Sequence, residues 1–285
     1  MPDIADLTLE KRRNIACQLA DLFGNHPEVS AILVFGSVAT GHVDERSDID
    51  ILLICHPGIL PITARWYLLS SIGSGWHFHD QSNDNALFAD CDVDGSVEGI
   101  FVTMHYQTVS WISEVLSEVL DNGAISTEKM PFRPYTLPAL LQRAWLLNDK
   151  DRFVERWREQ AQRFPQQLQL NLLRHFIPML RENLEDLVAN AERRLGPRAF
   201  IFRINWAVDA LTGILFALNE VYDPADRRTE RIILPTLVHV PKNFTSRLTE
   251  VLEGPFDDIG ALYRAQLFKQ LANEVLQMAE YRIEI

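Results

Sequence analysis

Asp48 and Asp50 stand two residues apart at the head of an apolar run, and Gly36-Ser37 closes an earlier one. The stretch 29–55 reads VSAILVFGSVATGHVDERSDIDILLIC. On an extended strand, residues two apart share a face, so both carboxylates point one way and Ile49 and Ile51 the other. Two ionised carboxylates side by side repel each other, and a cation between them relieves that cost. Hard oxygen ligands with few soft neighbours suit Mg²⁺ or Mn²⁺. Glycine lets the backbone come close to a ligand, and N–H groups at a helix start suit phosphate. A phosphate-cradling turn beside a metal-binding carboxylate pair is equipment for phosphoryl or nucleotidyl transfer.

The elements that must carry these residues can be read from the same pattern. Residues 29–35 and 51–55 are apolar runs bounded by turn signals, which suit buried strands. Before them, Thr8 caps a helix over 9–23 with Leu9, Ile15, Leu19, Leu22 and Phe23 on its apolar face and Lys11, Arg12 and Arg13 off it. A short helical turn is expected at 38–40 and a polar loop at 41–47. Residues 63–71 read as a helix with Trp66 and Leu69 in the core. Residues 73–95 are rich in Asp, Asn, Ser and Gly and read as a short strand in a loop. There His77 and His79 alternate on one face and, with Asp80 or Cys91, could bind a metal; solvent-exposed histidines explain the same pattern. Residues 97–106 (VEGIFVTMHY) read as a third strand with Phe101, Thr103 and His105 on one face. Residues 111–120 have helical spacing.

The pattern apolar-Gly36-Ser37, a gap of about ten residues, then Ser47-Asp48-Ile49-Asp50 before a second apolar run resembles the signature of the DNA polymerase β-like nucleotidyltransferase superfamily. The resemblance covers roughly the first 110 residues. It implies an α+β fold: a nucleotidyltransferase-type mixed β-sheet with flanking helices, followed by an all-α helical-bundle domain. It also implies that Gly36 and Ser37 hold a nucleoside triphosphate, and that Asp48 and Asp50 hold one or two Mg²⁺ (or Mn²⁺) ions. The family usually adds a third acid on a neighbouring strand. Glu98 resembles the strand-start glutamate of aminoglycoside adenylyltransferases and is the first nominee for that base; His105 is the second, and absence of a third acid stays open. Residues 217–224 (ALNEVYDP), followed by Arg227-Arg228, resemble a helix-end motif in relatives with a C-terminal helical domain. There a lysine approaches the triphosphate; here Arg227 would take its place, since arginine pairs bidentately with phosphate oxygens. Asn219 either binds substrate or satisfies the helix end.

From residue 137 onward almost only helical patterns follow: 137–147, a long segment over 152–195 broken at Pro165 and kinked at Pro178, then 198–222, 248–252 and 259–281. Trp145, Trp157 and Trp206 read as core residues of this helical part. Prolines at 131, 134 and 138 mark a connection, so a catalytic domain is expected over 1–125 and a substrate-binding helical domain over 126–285.

Net charge is −12 and sits unevenly: residues 1–125 hold 5 Lys/Arg against 18 Asp/Glu, leaving 22 against 21 for the rest. A negative field of this kind opposes a nucleic-acid backbone and favours a cationic acceptor. The three cysteines are widely spaced and form no metal motif, which suits a reducing cytoplasm. No apolar run approaching the ~20 residues of a membrane span is evident. The resulting expectation is a cytoplasmic enzyme that moves a nucleoside monophosphate, AMP from ATP, to a hydroxyl of a small acceptor such as an aminoglycoside. The alternatives are a nucleotidyltransferase acting on a protein or an RNA, as in toxin–antitoxin systems, and a nucleotide-binding protein without turnover. Oligomeric state is left open.

Overall fold

The structure is a computed structural model that describes residues 4–79, 92–226, 228–255 and 257–283. The first elements are α1 (Ile4–Gly24), β1 (Val29–Phe35), α2 (Gly36–Thr40), β2 (Ile49–Cys55) and α3 (Ile62–Leu69). A hairpin of β3 (Ser74–His79) and β4 (Asp92–Val97) comes next, then β5 (Ile100–Thr108) and α4 (Val109–Asn122). After these come α5 (Leu137–Arg143), β6 (Trp145–Asp149) and α6 (Phe153–Gln160). The helical remainder holds α7 (Gln166–Glu192), α8 (Pro197–Asn219), α9 (Phe244–Glu253) and α10 (Asp258–Ile283).

The chain divides into two compact units. The first is Met1–Asp121 with Ser126–Arg163, and the second is Asn122–Ile125 with Phe164–Ile285. This differs from the expected boundary at 125/126. The reason is β6: residues 145–147 close the helix expected over 137–147, but 145–149 pair antiparallel with β1 and so keep 126–163 in the first unit. The charge balance moves with the boundary. The first unit holds 13 Lys/Arg against 23 Asp/Glu and the second 14 against 16, so the acidity stays mostly with the sheet.

In the first unit a six-stranded mixed sheet runs β3-β4-β5-β2-β1-β6. β1 and β2 are antiparallel, β2 and β5 are parallel, and β4 and β5 form an antiparallel hairpin. Strand alternation divides the side chains between two cores. Ile49, Ile51 and Leu53 of β2 pack with Val102, Met104 and Tyr106 of β5 under Ile15, Leu19 and Phe23 of α1. Leu52 and Ile54 face the other way, with Ala31 and Leu33 of β1, against Ile112, Leu116, Leu141 and Trp157 from α4, α5 and α6. Trp157 is therefore core in the first unit, as is the partly buried Trp145. Leu69 is buried as expected, while Trp66, one helical step away on α3, is 60% exposed.

In the second unit α7 and α8 run antiparallel. Gln169 Nε2 donates to the Ala217 carbonyl at 2.7 Å near one end, and Arg203 reaches Asn183 and Asp186 near the other. Gly213 of α8 lets the Phe176 ring lie on the helix backbone; a Cβ there would sit 2.4 Å from that ring. Trp206, expected in the core, is 43% exposed on α8. α8 is also long and apolar enough to cross a membrane by length and composition, contrary to the sequence expectation, but 61% of that window is buried inside the protein. Arg247 of α9 makes a forked pair with Glu274 of α10, at 3.0 and 2.7 Å. Burial pushes the Tyr222 phenol above its ordinary pKa, with Phe164 at 4.7 Å between ring centroids.

Two outcomes follow for the second unit. Adding a methyl at Gly213 forces the Phe176 ring to move, at about 1–3 kcal/mol of overpacking, against ~1 kcal/mol of helix propensity gained by Ala over Gly. Gly213→Ala is thus expected to lower the denaturant midpoint, and Phe176→Leu in the same background to recover part of the loss. Because the raised folded pKa of Tyr222 favours the protonated phenol, its stabilisation is full below the ordinary tyrosine pKa and lost as pH rises toward the folded one. Unfolding titrations from pH 8 to 11 should show a smaller alkaline loss of stability in Tyr222→Phe than in the parent chain.

Candidate active site

The antiparallel register of β1 and β2 pairs Phe35 with Asp50. The next residue, Gly36, therefore turns out of the strand directly beside that carboxylate. Gly36 has φ +67°, and a Cβ built on it would lie 2.6 Å from Asp50 Oδ2. Only glycine meets both demands, the left-handed backbone and the close approach. Ser37 is half-buried in α2, whose first carbonyls accept from Thr40 Oγ1 at 3.1 and 3.3 Å.

Asp48 lies at the end of the loop that feeds β2. That loop closes on itself at residues 44–47: Ser47 Oγ accepts from the Asp44 backbone N–H at 2.9 Å, and the Arg46 N–H donates to Asp44 Oδ1 at 2.9 Å. Asp48 and Asp50 are both half-buried, two residues apart with Ile49 fully buried between them. The structure thus brings Gly36, Ser37, Asp48 and Asp50 to one end of the β1–β2 pair.

Glu98 is not brought there. It occupies the β4–β5 turn with φ +50°, and its carboxylate is 3.5 Å from Lys11 Nζ of α1. The β5 residue in register with Asp50 is Thr103. Ile100, the first residue of β5 after that turn, is three residues away, about 10 Å along an extended chain. A turn glutamate tied to α1 is thereby held off the Asp50 position.

What stands beside Asp50 is a polar row that sequence reading did not assemble. Thr103 is paired with Asp50 on one side and with Asp94 of β4 on the other, and Asp94 in turn with His77 of β3. One row on, His105 pairs with Asp92, and Asp92 with His79. His105 Nδ1 lies 2.8 Å from Asp92 Oδ1, and His79 Nε2 lies 3.0 Å from Asp94 Oδ2. The His105 ring also meets Phe35, with centroids 5.5 Å apart. The signal for these contacts was present as the alternation Asp92-x-Asp94 and Thr103-x-His105, but it becomes legible only once 92–97 is known to be a strand.

Asp80, Cys91 and Arg227 lie outside the described residues. Of the metal set considered for the hairpin, His79 is occupied with Asp94. Among the described residues no group of three or more His, Cys, Asp and Glu is placed to hold a metal ion by itself. In the second unit, Asn219 at the end of α8 ties residues 238–239 to the helix, and its Nδ2 also donates to the Leu215 carbonyl at 2.8 Å. Its Oδ1 accepts from the Val238 and His239 backbone N–H groups at 2.9 and 2.7 Å, and its Nδ2 donates to the His239 carbonyl at 3.0 Å.

Residues 17–78 match the family described as Polymerase beta, Nucleotidyltransferase. The matched span lies within the first unit, includes Gly36, Ser37, Asp48 and Asp50, and stops before β4 and β5. A solved structure, a nucleotidyltransferase-like protein from Exiguobacterium sibiricum 255-15, aligns over 91% of this chain and 72% of its own at 13% identity, with a TM-score of 0.35. No curated protein matches the chain.

The Gly36–Asp50 approach makes a sharp test. In Gly36→Ala the left-handed backbone costs about 1–3 kcal/mol, and the new methyl displaces the Asp50 carboxylate. Asp50→Ala removes the collision but not the backbone cost. Chemical denaturation of the two single variants and the double variant should give a coupling of about 0.5–3 kcal/mol in the sense that Asp50→Ala softens Gly36→Ala. Additive effects would mean that the two groups do not touch in solution.

Proposed function

We propose that this protein is a metal-dependent nucleotidyltransferase that moves a nucleoside monophosphate, AMP from ATP in the first instance, to a hydroxyl of a small acceptor. The observation that carries the reading is the meeting of a backbone-exposing glycine with a paired aspartate, Gly36 against Asp50 Oδ2, inside the span that matches the nucleotidyltransferase family. The donor set fits Mg²⁺, which is commonly held by one or two carboxylates plus substrate phosphates and water. Asp48 and Asp50 would supply the carboxylates. When bound, the metal would neutralise phosphate charge and lower the pKa of the acceptor hydroxyl.

The chain's own residues do the rest. The Gly36-Ser37 turn holds the triphosphate close to Asp50. The acceptor oxygen forms a bond to the α-phosphorus, the bond from that phosphorus to the bridging oxygen breaks, and pyrophosphate leaves with the electron pair. The hydroxyl proton passes to a base. On the face that carries Asp50, the side chains suited to that task are His105, oriented by Asp92, and Asp94. The acidity of the first unit supports a cationic acceptor, of which an aminoglycoside is one instance.

A second reading, nucleotide binding without turnover, is favoured by one observation: Thr103 rather than an acid is in register with Asp50. A pyrophosphate-release assay with ATP, GTP, CTP and UTP against a panel of acceptors separates the two. The proposal expects release that EDTA stops and that Asp48→Asn and Asp50→Asn each reduce by at least about 100-fold, with a one-nucleotide mass gain on the acceptor. His105→Asn and Asp94→Asn should each lower kcat more than they raise KM. Nucleotide binding with no release from any acceptor selects the second reading.

A further inference from the structure

Arg12 is the one residue of the Lys11-Arg12-Arg13 run that the sequence pattern misplaced. It was expected off the apolar face of α1, and it is 4% exposed. Its neighbours reach outward to Glu98 and to the Trp145 ring, whereas Arg12 turns into the protein. Nε donates to the Ser47 carbonyl at 2.7 Å, Nη2 to the Glu45 carbonyl at 3.1 Å, and Nη1 to the Thr8 carbonyl of its own helix at 3.1 Å. Among the described residues it pairs with no carboxylate. A buried cation is costly unless its donors are satisfied, and here three donors of one planar fork are taken by backbone oxygens.

The position of those oxygens gives the arrangement a consequence. Ser47 immediately precedes Asp48, and Glu45 lies two residues before Ser47. The 44–47 turn is already closed internally through Ser47 and Asp44. Arg12 attaches this turn to α1 at two points, the Ser47 and Glu45 carbonyls. The geometry points to Arg12 as a positioning residue that fixes Asp48 relative to Asp50 for binding a divalent cation. Asp50 is set independently by its strand register, so the clamp governs only one half of the pair. The inference rests on the proposed metal role of Asp48 and Asp50.

The test uses Mn²⁺ as the probe, with binding to the full chain followed by electron paramagnetic resonance, without nucleotide and with ATP, so that turnover is not the readout. Thermal unfolding of each variant is recorded alongside. Arg12→Gln removes the charge and most of the fork, and its Mn²⁺ half-saturation should rise about 10–100-fold. Arg12→Lys keeps the charge on a single point donor and should fall between that variant and the parent chain, which guards against the case in which the glutamine variant does not fold. Asp48→Asn serves as the reference for losing the ligand itself. If folded Arg12→Lys or Arg12→Gln binds Mn²⁺ as the parent does while Asp48→Asn does not, the clamp is structural only and the inference fails with the functional reading intact. If the parent chain binds no Mn²⁺ with or without ATP, the reading of Asp48 and Asp50 fails, and the inference with it.

Discussion

One contact constrains the first unit: the backbone of Gly36 against the carboxylate of Asp50. It exists because β1 and β2 are antiparallel neighbours in a register that sets Phe35 opposite Asp50. A slip of one residue would send Asp50 to the α1 core and Ile49 or Ile51 to the turn. The register is held from both faces. Ile49, Ile51 and Leu53 are fully buried on one side, and Leu52 and Ile54 on the other. The apolar alternation of β2 is thus what places a charged group beside a glycine with φ +67°. Core and candidate site are fixed by the same seven residues.

Loops and helix ends in this protein are tied down by arginine donating to backbone carbonyls. Arg12 takes Ser47 and Glu45; Arg158 takes Leu141 and Ala144 at the end of α5; Arg65 takes Leu60 at the turn before α3; Arg264 takes Val251, Leu252 and Pro255 at the end of α9. The last carbonyls of a helix have no partner within it, so a planar cation with donors in several directions suits them. Burial lowers the pKa of Arg264 and Arg158 from the ordinary arginine value, which is the desolvation cost of this arrangement. Carbonyl oxygens offset part of that cost, because they meet the donors without a second desolvated ion.

The strands and motif that carry Gly36, Ser37, Asp48 and Asp50 were legible because apolar runs, turn glycine and paired acids are all local signals. Four other features were not, or only in part. The start of β6 falls within the helix expected over 137–147, since Trp145-Leu-Leu-Asn-Asp149 is short, lacks alternation and becomes a strand by pairing with β1 across more than a hundred residues of chain. The hairpin was half seen: its residues Asp92, Asp94, His77 and His79 are polar on one face because that face is open, so the usual apolar half of the alternation is limited to Val93, Val97, Trp76 and Phe78. Arg12 was read as a surface charge, because nothing local distinguishes an arginine that meets solvent from one that meets carbonyls 33 and 35 residues away. Glu98 stands away from Asp50 for a related reason. Its place at the start of a strand looked favourable, but the strand is preceded by a tight turn, and a turn residue does not share the strand's facing.

The same sheet face serves two purposes, and the change occurs within single strands. On β2 it passes from Ile54 and Leu52, under α4 to α6, to Asp50; on β5 it passes from buried Gln107 through half-buried His105 and Thr103 to Phe101, which is 51% exposed. The helices on this face pack mainly over β1 and β2, so burial gives way to polarity toward β4 and β3. A group that must meet a charged ligand needs partial desolvation, for field strength, together with an open approach. Half-buried Asp48, Asp50, Thr103, Asp94 and His105 lie along that border. The position of the candidate site is therefore set less by any special loop than by where the helical cover of one sheet face ends.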